Sequence, residues 1–198
     1  GRWNRETQQY DWNAGKPVWL PRSIAFNGLL EADVAELNDG RVLIVWRITK
    51  VKTGEAHKWY SVSDDGGLTF AEPKIFGYDD GTAFFSTSTF HRLFRSHKTG
   101  KLYWIGNIAP TNPTNAGHPR YPLIIAEVNE TSLSLRKETV TEIDTRHPGE
   151  GERLQLSNFW MIENPETLEL EIYLTRLSEN PAETFTASAY KYTLSFLD

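Results

Sequence analysis

The stretch Glu31-Ala-Asp-Val-Ala-Glu-Leu37, then Asn38-Asp39-Gly40, then Arg41-Val-Leu-Ile-Val-Trp-Arg47 decides the fold. Two apolar-rich segments flank a turn whose glycine can adopt positive φ, which is the signature of an antiparallel hairpin. Lys58 to Ser63 reads as the next strand, a Gly-rich turn follows, and Thr69-Phe70 is expected to begin a fourth. The pattern recurs downstream. Phe90 to Phe94, Lys101 to Gly106, Tyr121 to Val128 and Leu135 to Ile143 read as a second meander. Gln155 to Ile162, Leu168 to Leu174 and Thr186 to Phe196 read as most of a third. Helical periodicity is almost absent, so the chain reads as all-β.

The third strands keep a constant spacing, because Trp59, Leu123 and Ala187 lie 64 residues apart in each step. Whole meanders at fixed spacing predict a β-propeller of four-stranded antiparallel blades. The 198 residues hold about three such blades, at roughly 27–80, 84–146 and 153–198, with 1–26 ending a preceding one. A propeller closes with about four to eight blades. The single partial domain 1–198 is therefore expected to be completed by further blades of the same protein or by a second copy. A long flattened β-sandwich is the alternative topology. The start at Gly1 rather than Met reads as a processed or excised piece.

Composition narrows the function. Lys and Arg number 21 against 26 Asp and Glu, for a net charge of −5, so there is no general basic surface for nucleic acid. With no cysteine there are no disulfides and no thiolate chemistry. The longest apolar run, Val42 to Trp46, is far below the roughly 20 residues that span a bilayer, so no membrane partner is expected. No histidine spacing matches a metal site, and no metal or cofactor is expected.

Ser63-Asp64-Asp65-Gly66-Gly67-Leu68-Thr69-Phe70 fits the pattern Ser-x-Asp-x-Gly-x-Thr-Trp/Phe. The Asp65 carboxylate can accept turn amides, Gly67 can take positive φ and Phe70 can plug the blade. This octapeptide resembles the Asp-box of sialidase-type (BNR-repeat) propellers. The resemblance gives Ser63, Asp65, Gly67, Thr69 and Phe70 a structural role, with Asn129-Glu130-Thr131-Ser132 as a degenerate copy.

The layout from Glu31 to Arg47 also resembles sialidases. There a glutamate opens the first strand of a blade and an arginine ends the second. The resemblance implies that Glu31 activates the nucleophile and that Arg47 and Arg120 bind a substrate carboxylate. A planar guanidinium suits that task because it forms paired hydrogen bonds to a carboxylate. Where sialidases carry a nucleophilic tyrosine followed by serine, this chain has Leu156-Ser157.

Polar residues recur at equivalent strand ends: Glu31, Ser88 and Ser157 or Asn158, and Arg47, Asn107 and Thr175 or Arg176. They predict a wet funnel on the propeller axis, with Asn158, His118 and Tyr121 as further sugar contacts and His91 facing inward. Trp46, Trp104 and Trp160 are expected in the blade core. The leading function is a sialidase-like glycoside hydrolase, extracellular or periplasmic, acting on an acidic or decorated carbohydrate. Two alternatives stay open: a uronate polysaccharide lyase using Arg120 with His118 or Tyr121, and a non-catalytic glycan-binding propeller.

Overall fold

The computed structural model describes residues 1–196, so the last two residues of the third expected blade lie outside the described residues. A short hairpin, β1 (Arg2–Asn4) and β2 (Gln9–Asp11), comes first. A four-stranded sheet follows, made of β3 (Ala25–Glu36), β4 (Val42–Lys50), β5 (Trp59–Ser63) and β6 (Lys74–Ile75) in sequential order. The second sheet runs β7 (Arg92–Arg95), β8 (Leu102–Asn107) and β9 (Leu123–Asn129), whose outer edge pairs with β10 (Ser134–Leu135) and then β11 (Thr141–Asp144). The third holds β12 (Phe159–Glu163), β13 (Leu170–Thr175) and β14 (Ala189–Leu194). Every pairing within these sheets is antiparallel between consecutive strands, apart from the split outer edge of the second.

Alternation along the strands places one apolar face against each neighbouring sheet. Leu43 and Val45 of β4 pack with Phe76, Phe84 and Trp104 between the first and second sheets. Phe94, Ile105 and Ile125 of the second sheet pack with Phe159, Ile172 and Leu174 of the third and with Leu156 from the segment that leads into it. The middle sheet is thus buried on both faces. The outer face of the third is not: Trp160, Ile162 and Tyr173 are exposed there.

Three expectations about strand limits need correction. The fourth strand of the first sheet is Lys74–Ile75 rather than Thr69-Phe70. The Asp65 carboxylate takes both the amide and the hydroxyl of Thr69 (2.8 and 2.6 Å), which withdraws that residue from any ladder. The segment Leu135–Ile143 is not one strand, because a 3-10 turn at Lys137–Thr139 divides it. There the Thr139 hydroxyl accepts the Glu127 amide and donates to the Arg136 carbonyl, replacing a backbone partner. In the third sheet the strand starts at Phe159 rather than Gln155. The amides of Gln155 and Leu156 are drawn in different directions, to the Leu177 and Arg120 carbonyls, each at 2.9 Å.

The octapeptide turn is self-satisfied. The Ser63 hydroxyl donates to Asp65 and accepts the Gly67 amide, both at 2.8 Å, and Gly67 has φ +92°. Phe70 meets Trp46 edge-on with ring centroids 6.3 Å apart. At the later hairpin, Asn129 takes the aspartate's place as acceptor for the amides of Thr131 and Ser132.

Candidate functional site

Glu31 lies in β3 where the ladder with β4 loses register, between the pairs Leu30–Arg47 and Asp33–Val45. Its φ of +42° is a left-handed conformation that a non-glycine residue adopts at a cost of about 1–2 kcal/mol. This kink turns the carboxylate onto Arg47. Arg47 Nη2 donates to Oε1 at 2.9 Å, and Nε stands 2.7 Å from Oε2 but out of line with its N–H, so it contributes ion-pair attraction rather than a second hydrogen bond. The other terminal nitrogen, Nη1, donates to the carbonyl and the hydroxyl of Ser88 at 2.8 and 2.9 Å.

Arg120 arrives from the long connection between β8 and β9, between the cis peptides His118-Pro119 and Tyr121-Pro122. Its Nε donates to the Gly117 carbonyl (2.9 Å), and its Nη1 donates to Gln155 (2.9 Å) and to the Ser157 hydroxyl (3.3 Å). Burial lowers its basicity, the charge of Arg47 lowers it further and Glu31 raises it. The two guanidinium groups and the carboxylate therefore share one electrostatic neighbourhood.

A cavity of about 660 Å³ opens beside this cluster. Glu31 and Asn158 supply polar wall, and Phe90, Trp160, Tyr173 and Tyr190 supply apolar wall. Arg92 stiffens it, with its guanidinium carbon 4.4 Å from the Phe90 ring centre and 5.4 Å from that of Trp160. Arg92 is in turn held by Asp33, 3.6 Å away.

The structure thus brings Glu31, Arg47 and Arg120 within mutual electrostatic reach and sets Asn158 on the same cavity as Glu31. Tyr121 is elsewhere: it packs on the core between the second and third sheets, with the Arg146 guanidinium 6.0 Å from its ring centre. His118 stands beside the arginine. Burial, then the charges of Arg120 and Arg153, lower its basicity, and its Nδ1 is buried without a partner.

Several inward-facing expectations are overturned. His91 is fully buried, stacked on Trp104, with Nε2 on the Val45 carbonyl at 3.1 Å. Burial, followed by the nearby Lys58, holds it well below the usual histidine range. Trp46 and Trp104 are core residues, but Trp160 is 65% exposed because it lies on the uncovered face of β12. Asn107 and Ser157 are buried rather than wet. Arg176 is committed to Asp144, Glu150 and Glu179. Leu156 is fully buried in the core between the second and third sheets.

Sequence reading missed Lys58, which is fully buried behind the cluster. Its Nζ donates to the carbonyls of Thr87 and Thr89, the former at 3.1 Å. Burial and the charge of Arg47 push its ammonium well below the lysine range, Glu31 opposes this and Arg120 adds to it. Its position at the start of the expected strand Lys58 to Ser63 gave no signal, since a lysine there reads as a solvated strand end.

No family model matches the sequence, and no curated protein matches it. Solved structures do resemble the fold. The α-L-arabinofuranosidase of Fusarium graminearum in complex with arabinobiose superimposes with a TM-score of 0.56 at 15% identity, over 89% of this chain and 49% of that one. An α-L-arabinanase of Penicillium chrysogenum complexed with arabinobiose gives 0.57 at 15% identity, over 90% and 52%. NanB gives 0.53 at 20% identity, over 83% and 23%. The chain spans about half the length of the two arabinobiose complexes. The fold is a β-propeller, and the three sheets are its blades.

Proposed function

We propose that this chain carries part of the active site of a sialidase-like propeller glycoside hydrolase that acts, outside the cytoplasm, on an acidic or otherwise decorated glycan. The observation that carries the reading is the Glu31–Arg47 pair at the edge of a sugar-sized, partly aromatic cavity, with Arg120 in electrostatic reach. Arg47 and Arg120 attract the anionic group, Asn158 offers an amide to a sugar hydroxyl, and the aromatic wall suits the apolar face of a sugar ring. Glu31 is the base of this site. Because Leu156 is a buried aliphatic where sialidases carry tyrosine, the nucleophile that Glu31 serves is water rather than a phenol. The arabinobiose bound in two neighbours of the same fold supports a glycan as ligand.

The test is reducing-sugar release from a panel of acidic oligosaccharides and arabinobiose, with wild type and Glu31→Gln side by side. Release by wild type and its loss in the variant support the reading. Binding without turnover makes the protein a glycan-binding module. The unpartnered Nδ1 of His118 beside Arg120 favours a second reading, a uronate lyase. An unsaturated, ultraviolet-absorbing product from the same panel would establish it.

A further inference from the structure

We infer that Lys58 is a positioning residue for the anion-reading site: it fixes the strip Ser86–Thr89 on which the Arg47 guanidinium is mounted. This rests on the proposed site but goes beyond its contacts, because Lys58 is fully buried and does not line the cavity.

The strip carries four consecutive hydroxyl residues, and all of them are buried. Buried hydroxyls and carbonyls must find partners inside the protein, and here those partners connect the blades. Ser86 donates its hydroxyl to the Asn107 carbonyl (2.7 Å), and Thr87 donates to the Pro119 carbonyl (2.8 Å), next to Arg120. Ser88 offers its carbonyl and hydroxyl to Arg47 and shares a hydrogen bond with the Thr49 hydroxyl (3.0 Å). The strip is not a strand, so no ladder holds the carbonyls of Thr87 and Thr89; that of Thr87 accepts the Thr89 amide (2.7 Å) and hydroxyl (3.3 Å) within the strip itself. Lys58 Nζ binds both carbonyls, one on each side of Ser88. The amine thus holds the carbonyls on either side of Ser88, whose own amide donates to the Ala116 carbonyl (2.7 Å), and through Thr87 it reaches the backbone that carries Arg120.

The geometry separates Lys58 from an ordinary buried polar residue. Its two carbonyl partners bracket Ser88, which holds Arg47 Nη1 while Glu31 holds Nη2, so its loss is felt by the guanidinium before it is felt by the blade cores. The consequence is selective: recognition of the acidic group weakens, while contacts made through Asn158 and the aromatic wall persist.

The experiment uses Lys58→Met, which keeps the length of the side chain and removes the donors, and Ser88→Ala, which leaves Lys58 in place and removes one Arg47 acceptor. Calorimetry measures affinity for trigalacturonate and for arabinobiose, and hydrogen–deuterium exchange follows peptides covering residues 84–91 and, as reference, 123–129. The expected result for Lys58→Met is faster exchange confined to 84–91. Trigalacturonate affinity should fall roughly tenfold, the order of one misplaced charge-assisted hydrogen bond, with arabinobiose affinity unchanged. Ser88→Ala should show the same selectivity with a smaller loss. Unchanged exchange at 84–91 in folded Lys58→Met overturns the inference, as does an equal loss for both sugars. If Lys58→Met does not fold, Ser88→Ala decides: unaltered trigalacturonate affinity in that variant overturns it. If wild type binds neither sugar, the proposed function fails and the exchange measurement alone judges the role of Lys58.

Discussion

Asn107 and Arg120 are joined by a hydrogen bond from the Asn107 side-chain amide to the Arg120 carbonyl at 3.1 Å, and the same nitrogen lies 3.1 Å from the Pro122 carbonyl and 3.2 Å from that of Leu156. One buried amide therefore closes the end of β8 onto the connection that delivers Arg120 and onto the segment leading into the third blade. Asn107→Leu keeps the bulk but removes this donor from the Pro122 and Leu156 carbonyls, while the Arg120 carbonyl keeps the Leu156 amide. We expect a stability loss of at least about 2 kcal/mol, since each buried unpaired polar group costs about 1–3 kcal/mol. Chemical denaturation followed by tryptophan fluorescence measures it, and a midpoint equal to that of wild type would show that water or rearranged backbone replaces the latch.

Glu31 should reverse the usual order of glycine and alanine. In a β-strand glycine is ordinarily the less stable of the two, but at φ +42° the alanine Cβ carries the strain and glycine does not. Both substitutions remove the carboxylate equally. We expect Glu31→Gly to be more stable than Glu31→Ala by about 1 kcal/mol. Paired thermal melts test this, and the opposite order would mean that the strand relaxes once the carboxylate is gone.

The ion pair also makes Glu31 a competitor for the anion site. Arg47→Lys keeps the charge but loses the planar fork, so affinity for an acidic oligosaccharide should fall by about 1–3 kcal/mol. Glu31→Gln should instead raise that affinity, because Arg47 no longer has a carboxylate partner, while abolishing turnover. Calorimetry on both variants reads the two signs; weaker binding in Glu31→Gln would place the ligand on the carboxylate rather than on the guanidinium.

Acid should unfold the protein in a way that can be traced to its surface turns. The Thr69 hydroxyl and amide, then Ser63, hold the Asp65 carboxyl at about 2. Lys137 and Thr82 hold Asp80 at about 2, and Lys191, Tyr173 and Asn164 hold Glu171 at about 2. A carboxyl whose folded value lies below its unfolded value of about 4 gives stability that is present above pH 4 and lost as the pH falls towards 2. Stability measured from pH 5 to pH 2 should decline over that window, and Asp65→Asn should flatten the decline. An identical slope in the variant would remove Asp65 from the account.

Arg176 holds the rim of the third blade. It is buried against Asp144, Glu150 and Glu179, and the Tyr192 hydroxyl donates to Asp144. Burial and the bond to Asp144 push that phenol up to about 12. Arg176→Met leaves the Asp144 side chain and the half-buried Glu150 and Glu179 without their cation and should cost up to about 3 kcal/mol, the low end for a buried pair. Arg176→Lys should recover only part of it, since one ammonium cannot match the fork. Denaturation midpoints of the two variants decide, and equal midpoints for Met and wild type would show the network to be neutral.

Much of the fold was legible because strand alternation and turn chemistry are local. Asn38-Asp39-Gly40 marks the first hairpin of the first sheet, and Trp59 and Leu123 open the third strands of their blades, while Ala187 falls two residues before the third strand of the last, which starts at Ala189. Strand ends were less legible where a side chain replaces a backbone partner, as Asp65 does for Thr69 and Thr139 does for Glu127. Such substitutions depend on which hydroxyl or carboxylate lies within reach, and that is a property of the folded hairpin.

The sequence by itself determined an all-β chain of repeated meanders and the two residue types, glutamate and arginine, that meet in β3 and β4. Only the tertiary structure decided that they meet through a left-handed kink at Glu31, that Arg120 comes within electrostatic reach of them while bonded to Gly117, Gln155 and Ser157, and that Leu156 faces the core. It also decided the fates of the buried polar residues. The sequence reads His91 and Asn107 as facing a wet funnel and Lys58 as opening a strand, because polarity predicts contact with water for an isolated side chain. Each is buried because carbonyls of a neighbouring strip, strand or blade accept its hydrogen bonds, and those carbonyls come within reach only when the sheets pack around a common axis.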